Sequence, residues 1–166
     1  MNYGKIKPCD VANGEGVRVS VFVSGCPHHC KGCFNPELWN YDAGQEFNCE
    51  TIAKLLILCE KPYITGLSLL GGEPLDPHNM SMMNILCHVF KARFPHKDIW
   101  CYTGYTWENI KQLFIMKYID ILVDGQFVEE LKDPRLRFRG SSNQRIIDVQ
   151  KSRETKCIVL RKDLME

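Results

Sequence analysis

The stretch VRVSVFVSGCPHHCKGCFN, residues 17–35, decides the fold. Its first seven residues alternate apolar and polar side chains and then run continuous, the pattern of a strand pressed into a core. A loop carrying Cys26, Cys30 and Cys33 follows without a break. Residues 66–70 read as a second strand that runs into Gly71-Gly-Glu-Pro74. Between the two, Asn48 is placed to cap a helix over about 49–60, where Ile52, Leu55, Leu56 and Cys59 make one apolar stripe. Downstream the reading continues with a helix over about 79–93, whose Met83, Leu86, Cys87 and Phe90 share a face. A strand is expected at 99–102, a helix from a Thr106 cap to about 116, a strand at 119–123 and a further strand at 145–149.

Strand–helix alternation of this kind implies βαβ units and an α/β fold with a mainly parallel sheet. A closed eight-unit barrel takes about 250 residues. This chain of 166 residues is therefore expected to form a partial, incomplete TIM-type βα barrel. No repeat, low-complexity tract or linker divides it, so residues 1–166 are read as a single domain. Ligands gather at the carboxyl ends of strands in such sheets. The cysteine loop follows one strand and the Gly71-Gly72-Glu73 loop the next, so both fall on one rim.

Composition narrows the function classes. Apolar residues make up 45% and charged residues 25%, ordinary values for a soluble domain. A net charge of +1 gives no bulk attraction to nucleic acid or to a membrane surface. No apolar run approaches the roughly 20 residues of a spanning helix. The start, MNYGKIKPCD, offers no apolar stretch for export, which points to the cytoplasm. Nine cysteines, an odd number, are therefore read as reduced thiols rather than a disulfide framework.

Three thiols at C-x3-C-x2-C raise the question of what they hold. A structural zinc site takes four ligands and usually pairs its cysteines as C-x2-C; here a fourth would have to be His28, His29 or a distant cysteine. Bacterial ferredoxins bind their clusters with runs of four cysteines. Three thiolates on a cubane leave one iron without a protein ligand, open to a small molecule. A zinc-binding interaction module without catalysis stays as the alternative. In the second loop, Gly71 and Gly72 permit close backbone approach to a ligand and Glu73 adds a negative charge; the plainer reading is a tight turn with Glu73 in solvent.

The cysteine motif after a first strand, with Gly71-Gly-Glu-Pro74 after the second, resembles the radical S-adenosylmethionine enzymes. More narrowly the chain resembles the activating enzymes of anaerobic ribonucleoside-triphosphate reductase. The similarity rests on Asn13-Gly-Glu-Gly-Val-Arg18, Val23-Ser-Gly-Cys26, Gly32-Cys-Phe-Asn35, Lys97-Asp-Ile-Trp100, Thr103-Gly-Tyr105, Val123-Asp-Gly125, Leu131-Lys-Asp-Pro134 and Arg139-Gly-Ser-Ser-Asn-Gln144, which span about residues 1–145 in order. It implies a radical-SAM core in which Cys26, Cys30 and Cys33 hold a [4Fe-4S] cluster. The open iron would chelate S-adenosylmethionine, and reductive cleavage would give a 5′-deoxyadenosyl radical. That radical would take hydrogen from a backbone glycine of the large reductase subunit. The electron would come from an external donor such as flavodoxin. An activator of another glycyl-radical enzyme, of the pyruvate formate-lyase type, would share this chemistry.

The cofactor does the hard chemistry in such a scheme, so no side chain is assigned as acid or base. Gly71, Gly72 and Glu73 are assigned to S-adenosylmethionine, together with the Gly32-Cys33-Phe34 turn. Many relatives place an aromatic residue just before the third cysteine; here Gly32 stands there, and Phe34 follows it, against adenine or in the core. His28 and His29 read as solvent-facing bystanders of the loop. Cys9, Cys49, Cys59, Cys87, Cys101 and Cys157 lack metal spacing, and several of them lie on predicted core stripes, where a free cysteine behaves as a small buried hydrophobe. Residues 132–166 hold ten Lys or Arg against five Asp or Glu, a basic region suited to a protein partner under this resemblance. As a strand, 134–140 would place Arg135, Arg137 and Arg139 on one docking face.

Overall fold

The computed structural model describes residues 1–165. Its centre is the strand read first from the sequence, β2, Val17–Val23, beside an antiparallel N-terminal strand, β1, Asn2–Asp10. A two-residue strand, β3, Gln45–Glu46, pairs with the outer edge of β1. On its other side β2 runs parallel to β4, Ile64–Gly71, which is parallel to β5, Asp98–Tyr102, and then to β6, Ile121–Asp124. An antiparallel strand, β7, Arg145–Asp148, completes a seven-stranded sheet of order β3-β1-β2-β4-β5-β6-β7. The fold is thus α/β with four parallel central strands and antiparallel flanks, in a sheet whose end strands β3 and β7 do not pair.

Alternation along each strand divides the sheet into two faces. Val19, Val21 and Val23, with Leu67, Leu69, Ile99, Cys101, Leu122 and Ile147, enter the main core. Against them lie α1, Cys49–Cys59, through Ile52, Leu55 and Cys59, and α2, Pro77–Arg93, through Met83, Leu86, Cys87 and Phe90. Asn48 caps α1 as expected, accepting from the Thr51 amide at 3.1 Å, a contact worth about 1 kcal/mol. The opposite face carries Phe22, Leu70, Tyr102 and Trp100. There Arg18 is fully buried yet satisfied: it pairs with Asp98 at 2.7 Å and donates to Ser68 Oγ at 2.7 Å and to the Leu67 carbonyl at 3.0 Å. One guanidinium so ties β2, β4 and β5 together.

Several expected elements are shifted. The second helix begins at Pro77, not 79, because Asp76 caps it and Pro77 suits the first helical position. Asn79 is instead fully buried and spends its amide on the Ser24 and Glu73 carbonyls, at 2.9 Å each. The helix expected from Thr106 to about 116 is only one turn, α3, Trp107–Ile110, followed by a separate 3-10 turn, Phe114–Lys117. Residues 134–140 form turns rather than a strand, so the three arginines share no strand face. Arg135 pairs with Asp133, whereas Arg139 folds back onto the Ser142, Gln144 and Met165 carbonyls.

The C-terminal residues, unassigned in the sequence, form a strap. After α4, Val149–Thr155, the chain returns along β7, with Asp148 donating to Val159 and Arg161 to Ile146. Leu164 then seals against Trp100, Ile121, Val123 and Ile146.

Candidate functional site

The loops after β2, β4, β5 and β6 meet at one rim. Strand β2 ends in Ser24-Gly25, and β4 ends with Gly71 at a φ of +107°, a conformation that favours glycine. The two loops are stitched by the Gly72 amide donating to Val23 (2.7 Å) and the Glu73 amide to Gly25 (2.8 Å). A side chain at Gly72 would stand 2.5 Å from the Gly25 carbonyl oxygen. The close approach that Gly72 permits is therefore between the two rim loops. The Gly25 and Cys26 amides donate to Leu38 and Trp39, which fixes the entrance to the cysteine loop.

Cys26, Cys30 and Cys33 line one cavity of about 450 Å³ with Gly71, Gly72 and Glu73. That volume lies within the roughly 300–1,000 Å³ of small-molecule sites. Its floor is the second face of the sheet, with Lys5, Lys7, Phe22, Leu70 and Tyr102, and the segment 136–140 forms the far wall. Burial pushes the Cys26 thiol up to about 11, against the pull of the His28 and His29 amides, and raises Cys30 as well. Both then hold their protons until a metal displaces them, since thiolates are the ligands. Among the described residues no three His, Cys, Asp or Glu side chains gather around a point for a single metal ion. Three thiols facing a shared cavity fit a multi-iron cluster, whose irons take separate thiolates.

Glu73 does not take the plainer of its two readings, the solvated turn. It is fully buried rather than solvated. Its carboxylate accepts from the Leu75 amide (2.9 Å), Thr103 Oγ1 (2.8 Å), the Gly104 amide (2.8 Å) and His28 Nε2 (2.9 Å). Four donors fill the roughly four acceptor sites of a carboxylate, which offsets the cost of burying it. His28 is thereby corrected from a solvent-facing bystander to a partner inside the rim, its side chain only 9% exposed. His29 does face solvent, stacked on Trp39.

Phe34 does not pack in the core. It is 61% exposed at the cavity mouth, tilted against Phe127 with centroids 5.1 Å apart. Gly32 turns the loop at a φ of +72° with its open side against Glu129, away from the cavity lining. The other thiols sort as expected for Cys59, Cys87 and Cys101, which are buried, while Cys9, Cys49 and Cys157 are exposed. Sequence reasoning missed Lys5 and Lys7 as lining groups because β1 was not read as a strand, and Tyr102 because it was read only as the last residue of β5. Thr103-Gly-Tyr105 follows directly on β5, and that position after a strand is the signal that places it at the rim.

Comparison with known proteins agrees with this geometry. A family model described as a 4Fe-4S single cluster domain matches residues 12–147. The chain is 49% identical over 146 residues to the anaerobic ribonucleoside-triphosphate reductase-activating protein of Enterobacteria phage T4, covering 88% of this chain and 93% of that one. It is 44% identical to the protein of the same name from Vibrio cholerae, and 43% to that from Escherichia coli, each over 148 residues, 87% of this chain and 96% of theirs. With Cys26, Cys30, Cys33 and the Gly71-Gly72-Glu73 loop all inside the matched segment, the chain belongs to the family of anaerobic ribonucleoside-triphosphate reductase-activating proteins.

Proposed function

We propose that this chain installs a glycyl radical on the large subunit of anaerobic ribonucleoside-triphosphate reductase, acting as a radical S-adenosylmethionine oxidoreductase. The observation that supports it most is the convergence of Cys26, Cys30 and Cys33 on one cavity that also holds the Gly71-Gly72-Glu73 loop. In this reading the three thiolates hold a [4Fe-4S] cluster, and S-adenosylmethionine enters the rest of the cavity. Once bound, these cofactors supply the one-electron chemistry that cleaves the sulfonium, with an external donor such as flavodoxin providing the electron.

The chain's own residues bind, orient and exclude. Backbone carbonyls near Gly71 and Gly72 receive the amino group of the methionine end. Glu73 does not, because protein donors already occupy its carboxylate. Phe34 and Phe127 form an apolar lip at the mouth, where the target's glycine segment enters. Phe22, Leu70 and Tyr102 line the cavity deeper in and limit water at the reacting centre. We read the open sheet as an incomplete βα barrel forming one domain, working in the cytoplasm; among the described residues no helix is long and apolar enough to cross a membrane.

The test is anaerobic incubation of the iron-loaded chain with S-adenosylmethionine, dithionite and the large reductase subunit. The expected result is a glycyl-radical signal by electron paramagnetic resonance. Pyruvate formate-lyase in place of the reductase separates the two target classes. A signal on that enzyme and none on the reductase reassigns the target.

A further inference from the structure

We propose that His28 is a positioning residue that clasps the cysteine loop to the rim, and that Thr103-Gly104-Tyr105 is built to receive it. The proposal rests on the cluster reading above and assigns the parts of the rim that hold its loop still.

His28 lies between Cys26 and Cys30, so its side chain leaves the loop from between two proposed ligands. Its Nε2–H donates to Glu73 Oε2 at 2.9 Å, and its Nδ1 accepts from Gln126 Nε2 at 3.1 Å. A carboxylate only accepts, which fixes the proton on Nε2 and leaves Nδ1 free to accept. Both ring nitrogens are thus engaged, one by the loop after β4 and one by the loop after β6. Gln126 is held in turn, its carbonyl accepting from Asn143 Nδ2 at 2.9 Å.

The loop after β5 is shaped around the same ring. Thr103 Oγ1 and the Gly104 amide bind the carboxylate that His28 binds. A side chain at Gly104 would stand 2.4 Å from His28 Cδ2, so only glycine leaves room for the imidazole. Tyr105 closes the other side, edge-on to the ring with centroids 4.6 Å apart. A bystander histidine would need none of these features. Partners of this kind orient metal ligands and typically change metal retention by about 10–100-fold when removed.

The experiment compares His28→Ala, His28→Gln and Gly104→Ala with the unaltered full-length chain after anaerobic iron and sulfide loading. The readouts are the rate of iron loss to a chelator and the midpoint potential of the bound cluster. His28→Ala is expected to lose iron about tenfold faster and to shift the potential. His28→Gln, whose amide can still donate to Glu73, should recover most of the retention. Gly104→Ala, which keeps the imidazole but displaces it, should resemble His28→Ala. A second arm follows amide exchange of residues 26–33 in the iron-free chain, where His28→Ala should open the loop and His28→Gln should not.

Wild-type retention, potential and loop exchange in His28→Ala overturn the clasp. So does a His28→Gln variant as impaired as His28→Ala, which would reduce the role to ring bulk. If His28→Ala fails to fold, Gly104→Ala and His28→Gln decide by the same criteria. An unaltered chain that takes up no iron overturns the cluster reading, and the exchange arm then decides the clasp alone.

Discussion

Two groups of cysteines in this molecule carry the same side chain in opposite surroundings. Cys26, Cys30 and Cys33 stand on one short rim loop and face a shared cavity. Cys59, Cys87 and Cys101 lie on separate elements inside the core, fully enclosed by apolar neighbours. Burial drives Cys59 and Cys87 up to about 12 from an ordinary 9.0 and raises Cys101 well above that ordinary value too, with no hydrogen-bond donor working against it. These three are inert packing. At the rim, amides of His28, His29 and Phe127 already point at the sulfurs of Cys26 and Cys30 and favour the thiolate. A thiol becomes a ligand through its neighbours and its access, and burial alone does not distinguish the two groups.

The largest effect that would sharpen this contrast is loss of the metal. Cys26→Ala, Cys30→Ala or Cys33→Ala should each remove most of the iron that anaerobic reconstitution installs, whereas Cys87→Ala should keep it. Iron lost equally from the Cys87 variant would erase the distinction. Next comes Gly72→Val. Its new side chain must displace the Gly25 backbone at the mouth of the cysteine loop, so both S-adenosylmethionine affinity and iron retention should fall, with retention down by about tenfold. Wild-type values for both would mean the two rim loops are not coupled.

A smaller effect separates the groups by pH. A buried thiol whose folded value exceeds its unfolded value stabilises the fold while protonated. That contribution is complete below pH 9 and is lost as pH rises from 9 toward the folded value of about 12. Denaturant midpoints measured from pH 8 to 11 should therefore fall, and Cys87→Ala should flatten the slope. The smallest effect belongs to charge at the far wall. Arg135 is largely exposed and Arg137 is exposed, while Arg139 is tied to carbonyls. Reversing only Arg135 and Arg137 to Glu should weaken association with the large reductase subunit by about fivefold at low salt and leave iron content unchanged, as rim charges act mainly on encounter. Unchanged affinity at low salt would place docking elsewhere.

What the sequence made legible follows the same division. Strand β2 could be read because its alternation is strong and the cysteine loop starts where it stops. The apolar stripes of α1 and α2 named Cys59 and Cys87 as core. Strand β1 escaped because Lys5, Lys7 and Asp10 break its pattern; two of those side chains line the cavity. The arginine stretch 134–140 alternates like a strand, yet Arg139 satisfies carbonyls across a turn, and tertiary contacts override the local pattern. His28 was hidden for a different reason. Its value lies in Glu73, Gly104 and Gln126, all distant in sequence, and no local signal distinguishes it from His29.

The central claim is that the rim thiols hold an iron–sulfur cluster. Metal and acid-labile sulfide analysis of the anaerobically reconstituted chain tests it most directly. The account predicts about four irons and four sulfides per chain, following from three thiolates on a cubane. Stoichiometric zinc with neither iron nor sulfide would contradict it.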